Sequence, residues 1–313
     1  DNVTFPCDFS STNNRVGQIG AINGSISGDV ITEQCFPARR AFRLISPSTT
    51  TTNSTVSTIQ DNWQEGADDY EQDPTPNSST SGNFGYGTHI TGINNSETDN
   101  SQNNGFDWQP SGNPSMFTFD ESAQDWNTVN NTDTNTLTAG DPYRLMIRGD
   151  RSVDITDNAT TPTNTKLRST GAPETGNVQI TDIASGPNDE ATLIGNPYHS
   201  VVDLETVLNN SSGLQDCIII WDPTLGGSPT VGQPGGRGAF VTVDVSTNTS
   251  CNATSEMDKY LQPYQSFFVF SDGSANPTLN FNETDKATDQ SQISVFSSSP
   301  AHYLNILLYD SSS

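Results

Sequence analysis

The sequence predicts an all-β fold: two β-sandwich units of jelly-roll type, with long polar loops and little helix. Three observations predict it. Short runs such as "CIIIW" and "SFFVF" have strand length and are rich in β-branched and aromatic residues. Gly (25) and Pro (18) recur along the chain and supply turns between such runs. The long Ala, Leu, Glu and Lys runs that sustain helices are missing.

Taken in order, residues 1–37 are small and polar, with a weak strand in "VGQIGAI". They read as an N-terminal segment that pairs with a sheet or is exchanged with a neighbouring copy. A first β unit spans 38–185. It opens with "FPARRAFRLISPS", which alternates through Phe42 and Leu44 and stops at Ser-Pro. Residues 47–115 are loop-rich, and such a length needs its aromatics to pin it to a core. Strands resume in "NPSMFTFD", "DWNTV" and "PYRLMIRG", and "TKLRSTGAPETGNVQITDI" reads as strand, turn, strand.

A second unit spans 186–313. Its best helix is "SVVDLETVLNN", where Asp203 and Glu205 suit the first turn. "CIIIW", "AFVTVDV", "SFFVF", "TLNF" and "YLNILLYD" are its strands. Both units run Gly-Asn-Pro, a tryptophan strand (Trp126, Trp221), a turn, and an aromatic strand ending at Gly149 or Gly273. This echo predicts two related units.

The charge balance is 12 basic against 37 acidic residues, a net of −25. Such a surface repels phosphate backbones, which argues against nucleic acid as a partner. No run approaches the ~20 apolar residues of a membrane helix. The chain opens at Asp1 rather than Met, as expected of a product released from a secretory signal or pro-segment. Four cysteines, Cys7, Cys35, Cys217 and Cys251, lack metal-ligand spacing and allow three disulfide pairings. The local ones, Cys7 with Cys35 and Cys217 with Cys251, are preferred because each closes a short loop within one unit.

Candidate chemistry is sparse. His89, His199 and His302 are too scattered for a metal triad and read as structural. Asp68, Asp69, Glu71 and Asp73 crowd one acidic loop rather than flank a glycosidic bond. No cofactor is expected; "NNTDTNT" and "ADDYEQD" offer oxygens to calcium but match no calcium-loop pattern. Trp63, Tyr70, Phe84, Tyr86 and Trp108 lie in loop-rich sequence and are candidates for stacking on sugar rings, against the plainer role of anchoring loops. Arg148, Gly149 and Asp150 spell a tripeptide read by adhesion receptors. They follow a period-two strand directly, so the reading preferred is a strand end.

The ordered set "RRAFRLISPS", "DNWQEG", "GYGTHITG", "GNPSMFTFD", "LTAGDPYRLMIRGDRSVDIT", "LIGNPYHSVVDL", "IIIWDPT", "YLQPYQSFFV" and "FNETDKAT" covers most of residues 38–313. In that order it resembles large secreted surface proteins of the Bacteroidota exported by type IX secretion. The resemblance implies a secreted or cell-surface location and an all-β scaffold, and it brings no catalytic residues to carry over. The expectation is therefore a non-enzymatic structural or adhesive component of an extracellular assembly, such as a filament subunit. Its partners would be copies of itself or neighbouring surface modules, met through edge strands. A carbohydrate-binding surface module and a secreted hydrolase are the alternatives.

Overall fold

The computed structural model describes residues 2–9, 15–66, 85–93, 96, 102–186, 190–226, 238–290 and 293. The first third holds β1 (Val3–Phe5), β2 (Cys7–Asp8), β3 (Arg15–Val16), β4 (Val30–Phe36), β5 (Ala41–Ile45), β6 (Thr49–Thr50) and helix α1 (Ile59–Trp63). The middle holds β7 (Met116–Asp120), β8 (Asp125–Thr128), β9 (Tyr143–Ile147), β10 (Thr165–Pro173), β11 (Val178–Ile180), β12 (Ala191–Gly195) and β13 (Val202–Asp203). Helix α2 (Leu204–Asn209) follows, then β14 (Cys217–Asp222), β15 (Ala239–Asp244), β16 (Thr249–Ser250), β17 (Tyr260–Leu261), β18 (Ser266–Phe270) and β19 (Leu279–Phe281). The fold is all-β with several sheets and little helix.

Two stretches follow one plan. In the first, the strand order is β5-β9-β7-β8; in the second it is β12-β18-β14-β15, extended by β16. Every pairing in both is antiparallel. The strand before each set pairs antiparallel with the strand after it: β4 with β10, and β11 with β19. Each plan also places a short helix, α1 or α2, between its early strands and its hairpin.

The strand order thus carries a repeat, but the letters that signalled it are out of step. The counterpart of Trp221's strand β14 is β7, whereas Trp126 lies on β8. The equivalent segments are Leu44-Ile45-Ser46 at the end of β5 and Leu193-Ile194-Gly195 at the end of β12. The expected division after residue 185 is crossed by β11, which pairs with β19.

The N-terminal segment completes its own chain's sheets, where the sequence left open that it would complete a neighbour's. β1 runs parallel to β4, and β4 pairs with seven residues of β10. Cys7 and Cys35 are joined by a disulfide with Cα atoms 5.7 Å apart. Residues beyond β3 then reach the segment before β13: Ile19 N donates to His199 O at 2.8 Å and Val201 N to Gln18 Oε1 at 2.7 Å.

Period-two alternation explains which faces are buried. Ile45, Met116, Leu145 and Ile147 point from the first sheet into a core shared with Ile59 and Trp63 of α1. Ile194, Ile218, Ile220, Phe267 and Val269 do the same in the second, beneath Leu204 and Val207 of α2. Helix α1 was not legible in the loop-rich stretch; it is a single short turn fixed by a capping box between Thr58 and Asp61. Helix α2 stands where expected, with Asp203 as its N-cap accepting from Glu205 N.

Candidate functional site

The faces opposite those cores are also apolar, and they meet. On the first sheet the register aligns Phe42, Leu44, Arg144, Met146, Phe117, Phe119 and Trp126 on one outer face. On the second it aligns Leu193, Phe268, Ile219, Trp221 and Phe240. Leu44, Leu193 and Phe268 form a buried cluster with Phe119, Trp126, Ile219 and Trp221 packed against it. The two sheets therefore stand back to back, with an aromatic layer between them.

Ring geometry within the layer is edge-to-face. Phe119 lies 5.1 Å from Phe268, Phe240 lies 5.9 Å from Phe268, and Trp221 lies 4.7 Å from Phe240. Each such pair contributes about 0.5–1.5 kcal/mol beyond the area it buries. Arg144 enters the layer as its cation, with Cζ 3.9 Å from the Phe42 centroid and 5.1 Å from that of Trp126. Burial lowers its pKa from the ordinary arginine value, as expected for a guanidinium facing rings instead of water.

The second sheet overhangs the first. At that end Phe240 is 51% exposed; Val3 and Ile93 are the other exposed large hydrophobics among the described residues. Cys217 and Cys251 lie on the same overhanging face. Cys217 is opposite Asp244, and the Cys251 amide donates to Thr242 O. Both are exposed and unbonded, contrary to the second bridge expected from the sequence. The reason is β15, which runs between them: a separation of two strands is roughly 9–10 Å, beyond the ~7 Å Cα limit of a disulfide.

The stacking candidates read from the sequence are not the rings of this face. Trp63 is fully buried in α1, edge-on to Tyr143 at 5.7 Å. Tyr86 is half-buried and covered by cations, with Arg168 Cζ 4.6 Å and Lys166 Nζ 5.2 Å from its centroid. Trp108 is half-buried, and Tyr70 and Phe84 lie outside the described residues. The signal for the true face was present. "MFTFD" and "AFVTV" carry aromatics at the positions between their core residues, which marks strands covered on both sides.

The adhesion-like tripeptide faces inward. Arg148 and Asp150 are 9% and 5% exposed. The Asp150 carboxylate accepts from Gly85 N at 2.7 Å, Thr163 Oγ1 at 2.8 Å and Ser152 Oγ at 2.5 Å. It ties the long loop to the strand end. The run "SVDIT" that follows forms turns and bends.

His89 belongs to a similar pin. Its Nδ1 lies 3.4 Å from Asp107 Oδ1, and Arg151 grips the same carboxylate at 2.7 and 3.1 Å. Burial alone would raise the Asp107 pKa; Arg151, with His89, more than reverses this and holds it well below the usual carboxylate range. His199 is buried between Phe5 and Tyr264, and His302 lies outside the described residues.

Among the described residues, no group of three or more His, Cys, Asp or Glu could hold a metal ion. The acidic loop with Asp68, Asp69, Glu71 and Asp73, offered to calcium and to hydrolysis alike, lies outside them. Three of the cavities on the described surface lack a pair of carboxylates. One has the single carboxylate Asp141 in its lining, one is walled by amides, and one contains two arginines, Arg40 and Arg148. No helix among the described residues is long and apolar enough to cross a membrane. No family model, curated protein or solved structure matches this chain.

Proposed function

We propose that this protein is a non-enzymatic structural or adhesive module of an extracellular or cell-surface assembly, built from two β-sandwich units. The observation that carries the reading is the aromatic layer. It already joins one sheet to the other back to back, and its overhang leaves Phe240 uncovered on the same face. The occupant proposed for that overhang is another β unit of the same design, from a second copy of this chain. Covering Phe240 would contribute about 25 cal/mol per Å² of apolar surface removed from water. The Cys7–Cys35 disulfide supports an oxidising compartment. Export by type IX secretion is proposed on the sequence resemblance alone.

The test is sedimentation of the intact chain over a wide concentration range, with electron microscopy of the concentrated sample. Wild type is expected to associate and Phe240→Ser to remain monomeric. A wild-type chain that stays monomeric at millimolar concentration would remove the reading.

A further inference from the structure

The core face of the first sheet turns polar at one end. Met116 and Leu145 face each other on β7 and β9, both buried. One step further along the same face stand Thr118 and Tyr143, and both line a cavity of about 550 Å³. Tyr143 is 7% exposed, and its ring packs edge-on to Trp63. No protein group among the described residues takes its hydroxyl. A tyrosine this buried normally finds a partner for its O–H. Here the hydroxyl opens onto the cavity, so the partner must come from inside it.

The rest of the wall is fixed and uncharged but for one group. Its rim is the run at 130–136 that the sequence offered to calcium. Helix α1 holds that loop: Ile59 N donates to Asn135 O and Gln60 N to Thr132 O, both at 2.8 Å, and Thr58 bridges Thr136. Asn135 Nδ2 reaches Asn130 Oδ1 at 3.5 Å, which leaves Asn130 Nδ2 and Asn135 Oδ1 to the cavity. Ile59 and Val129 form an apolar strip. Among the described residues of the lining, Asp141 is the one carboxylate, and there is no Lys or Arg. The protein crowding Asp141 raises its pKa, and a hydrogen bond from Thr138 offsets this only in part.

We propose that this cavity binds an uncharged monosaccharide unit of a glycan. Asp141 accepts from two neighbouring sugar hydroxyls, the charge-assisted contact of the site. Tyr143 meets a third hydroxyl, and the Asn130 and Asn135 amides meet the others. The C–H face of the ring lies on Ile59 and Val129. Hydroxyls and amides both donate and accept, which matches a polyol and is half wasted on an ammonium group. Asp141 and the net charge of −25 exclude an anionic sugar. The volume lies within the range of about 300–1,000 Å³ usual for small-molecule pockets. Calcium would need six to eight oxygens, with more than one carboxylate to balance its charge.

Phe240 does not line the cavity, so the fate of the association reading does not decide this one. Calorimetric titration of the intact chain with the methyl glycosides of D-glucose, D-galactose and D-mannose tests it, with D-glucosamine, D-glucuronate and calcium chloride as charged arms. At least one glycoside is expected to bind at millimolar concentration or tighter, and about tenfold or more above every charged arm. Tyr143→Phe keeps the contact with Trp63 and removes a hydroxyl that the fold leaves unpaired. Its urea midpoint is expected to stay at or above that of wild type while its affinity falls about tenfold. Asp141→Asn, at an exposed position, is expected to lose at least as much. No response to any of the three glycosides, tighter binding of a charged arm than of every glycoside, or wild-type affinity in either folded variant would overturn the assignment.

Discussion

Trp221 Nε1 donates a hydrogen bond to the Phe42 carbonyl at 2.8 Å, linking the sheet of β14 to the sheet of β5. β5 lies at the edge of its sheet, so the donor reaches that carbonyl from the other sheet. Trp221→Phe keeps most of the ring packing and removes the donor. It is expected to cost about 1–2 kcal/mol in urea unfolding. Gly238→Ala should cost more. Its φ is +105° and an added Cβ would lie 2.3 Å from the same Nε1, so the indole must move. An unchanged midpoint for both variants would mean that the junction contributes nothing.

The cysteines give a covalent test. Native chain treated with a maleimide is expected to gain two adducts by mass spectrometry, at the exposed Cys217 and Cys251. Reduction and unfolding should raise this to four. Replacing both Cys7 and Cys35 by Ser opens a loop with a sequence separation of 28 and is expected to cost about 3 kcal/mol. A native chain that takes no label would show that Cys217 and Cys251 had come together after all.

The buried tripeptide separates stability from adhesion. Asp150→Ala removes the acceptor of Gly85 N, Ser152 and Thr163, leaving buried donors unpaired. A loss of at least ~2 kcal/mol is expected. A soluble Arg-Gly-Asp peptide should leave any adhesion by the intact protein unchanged. Competition by the peptide at micromolar concentration would contradict the inward orientation.

Much of the fold was legible because strands announce themselves locally. "RLMI", "CIIIW" and "SFFVF" became β9, β14 and β18, and Asp203 capped α2 where its charge suited the helix end. Partner choice was not legible. β10 and β11 read as one hairpin, yet β10 pairs with β4 and β11 with β19, across more than a hundred residues. No local pattern encodes such a distant choice. The site was missed for a related reason. Exposed-looking aromatics in a loop, such as Trp63, were weighed above aromatics in strands, and only the register shows that Phe119, Trp126 and Phe240 share an outer face.

His199 gives a pH prediction with a definite sign. Its ring is 1% exposed, between Phe5 and Tyr264, each with a centroid 6.0 Å away. Burial lowers its pKa from 6.5 to about 3; the Lys286 charge adds to this, and a Gly17 backbone contact opposes it without reversing it. The unfolded chain then takes up a proton near pH 6.5 that the folded chain refuses. The stability tied to this group is full above pH 6.5 and drains away as the pH falls toward 3. Between pH 7 and pH 5 the loss is about 2 kcal/mol. Glu121 works the other way. Burial, then Asp182 and Asp120, raise it to about 7, so its contribution is present below 4.5 and fades as the pH rises toward 7. Denaturant unfolding of wild type and His199→Phe at both pH values cancels Glu121 and isolates the histidine. The wild type should lose about 2 kcal/mol more than the variant on acidification. Equal losses in the two chains would place the proton on His199 in the folded state as readily as in the unfolded one, which its position between two rings does not allow.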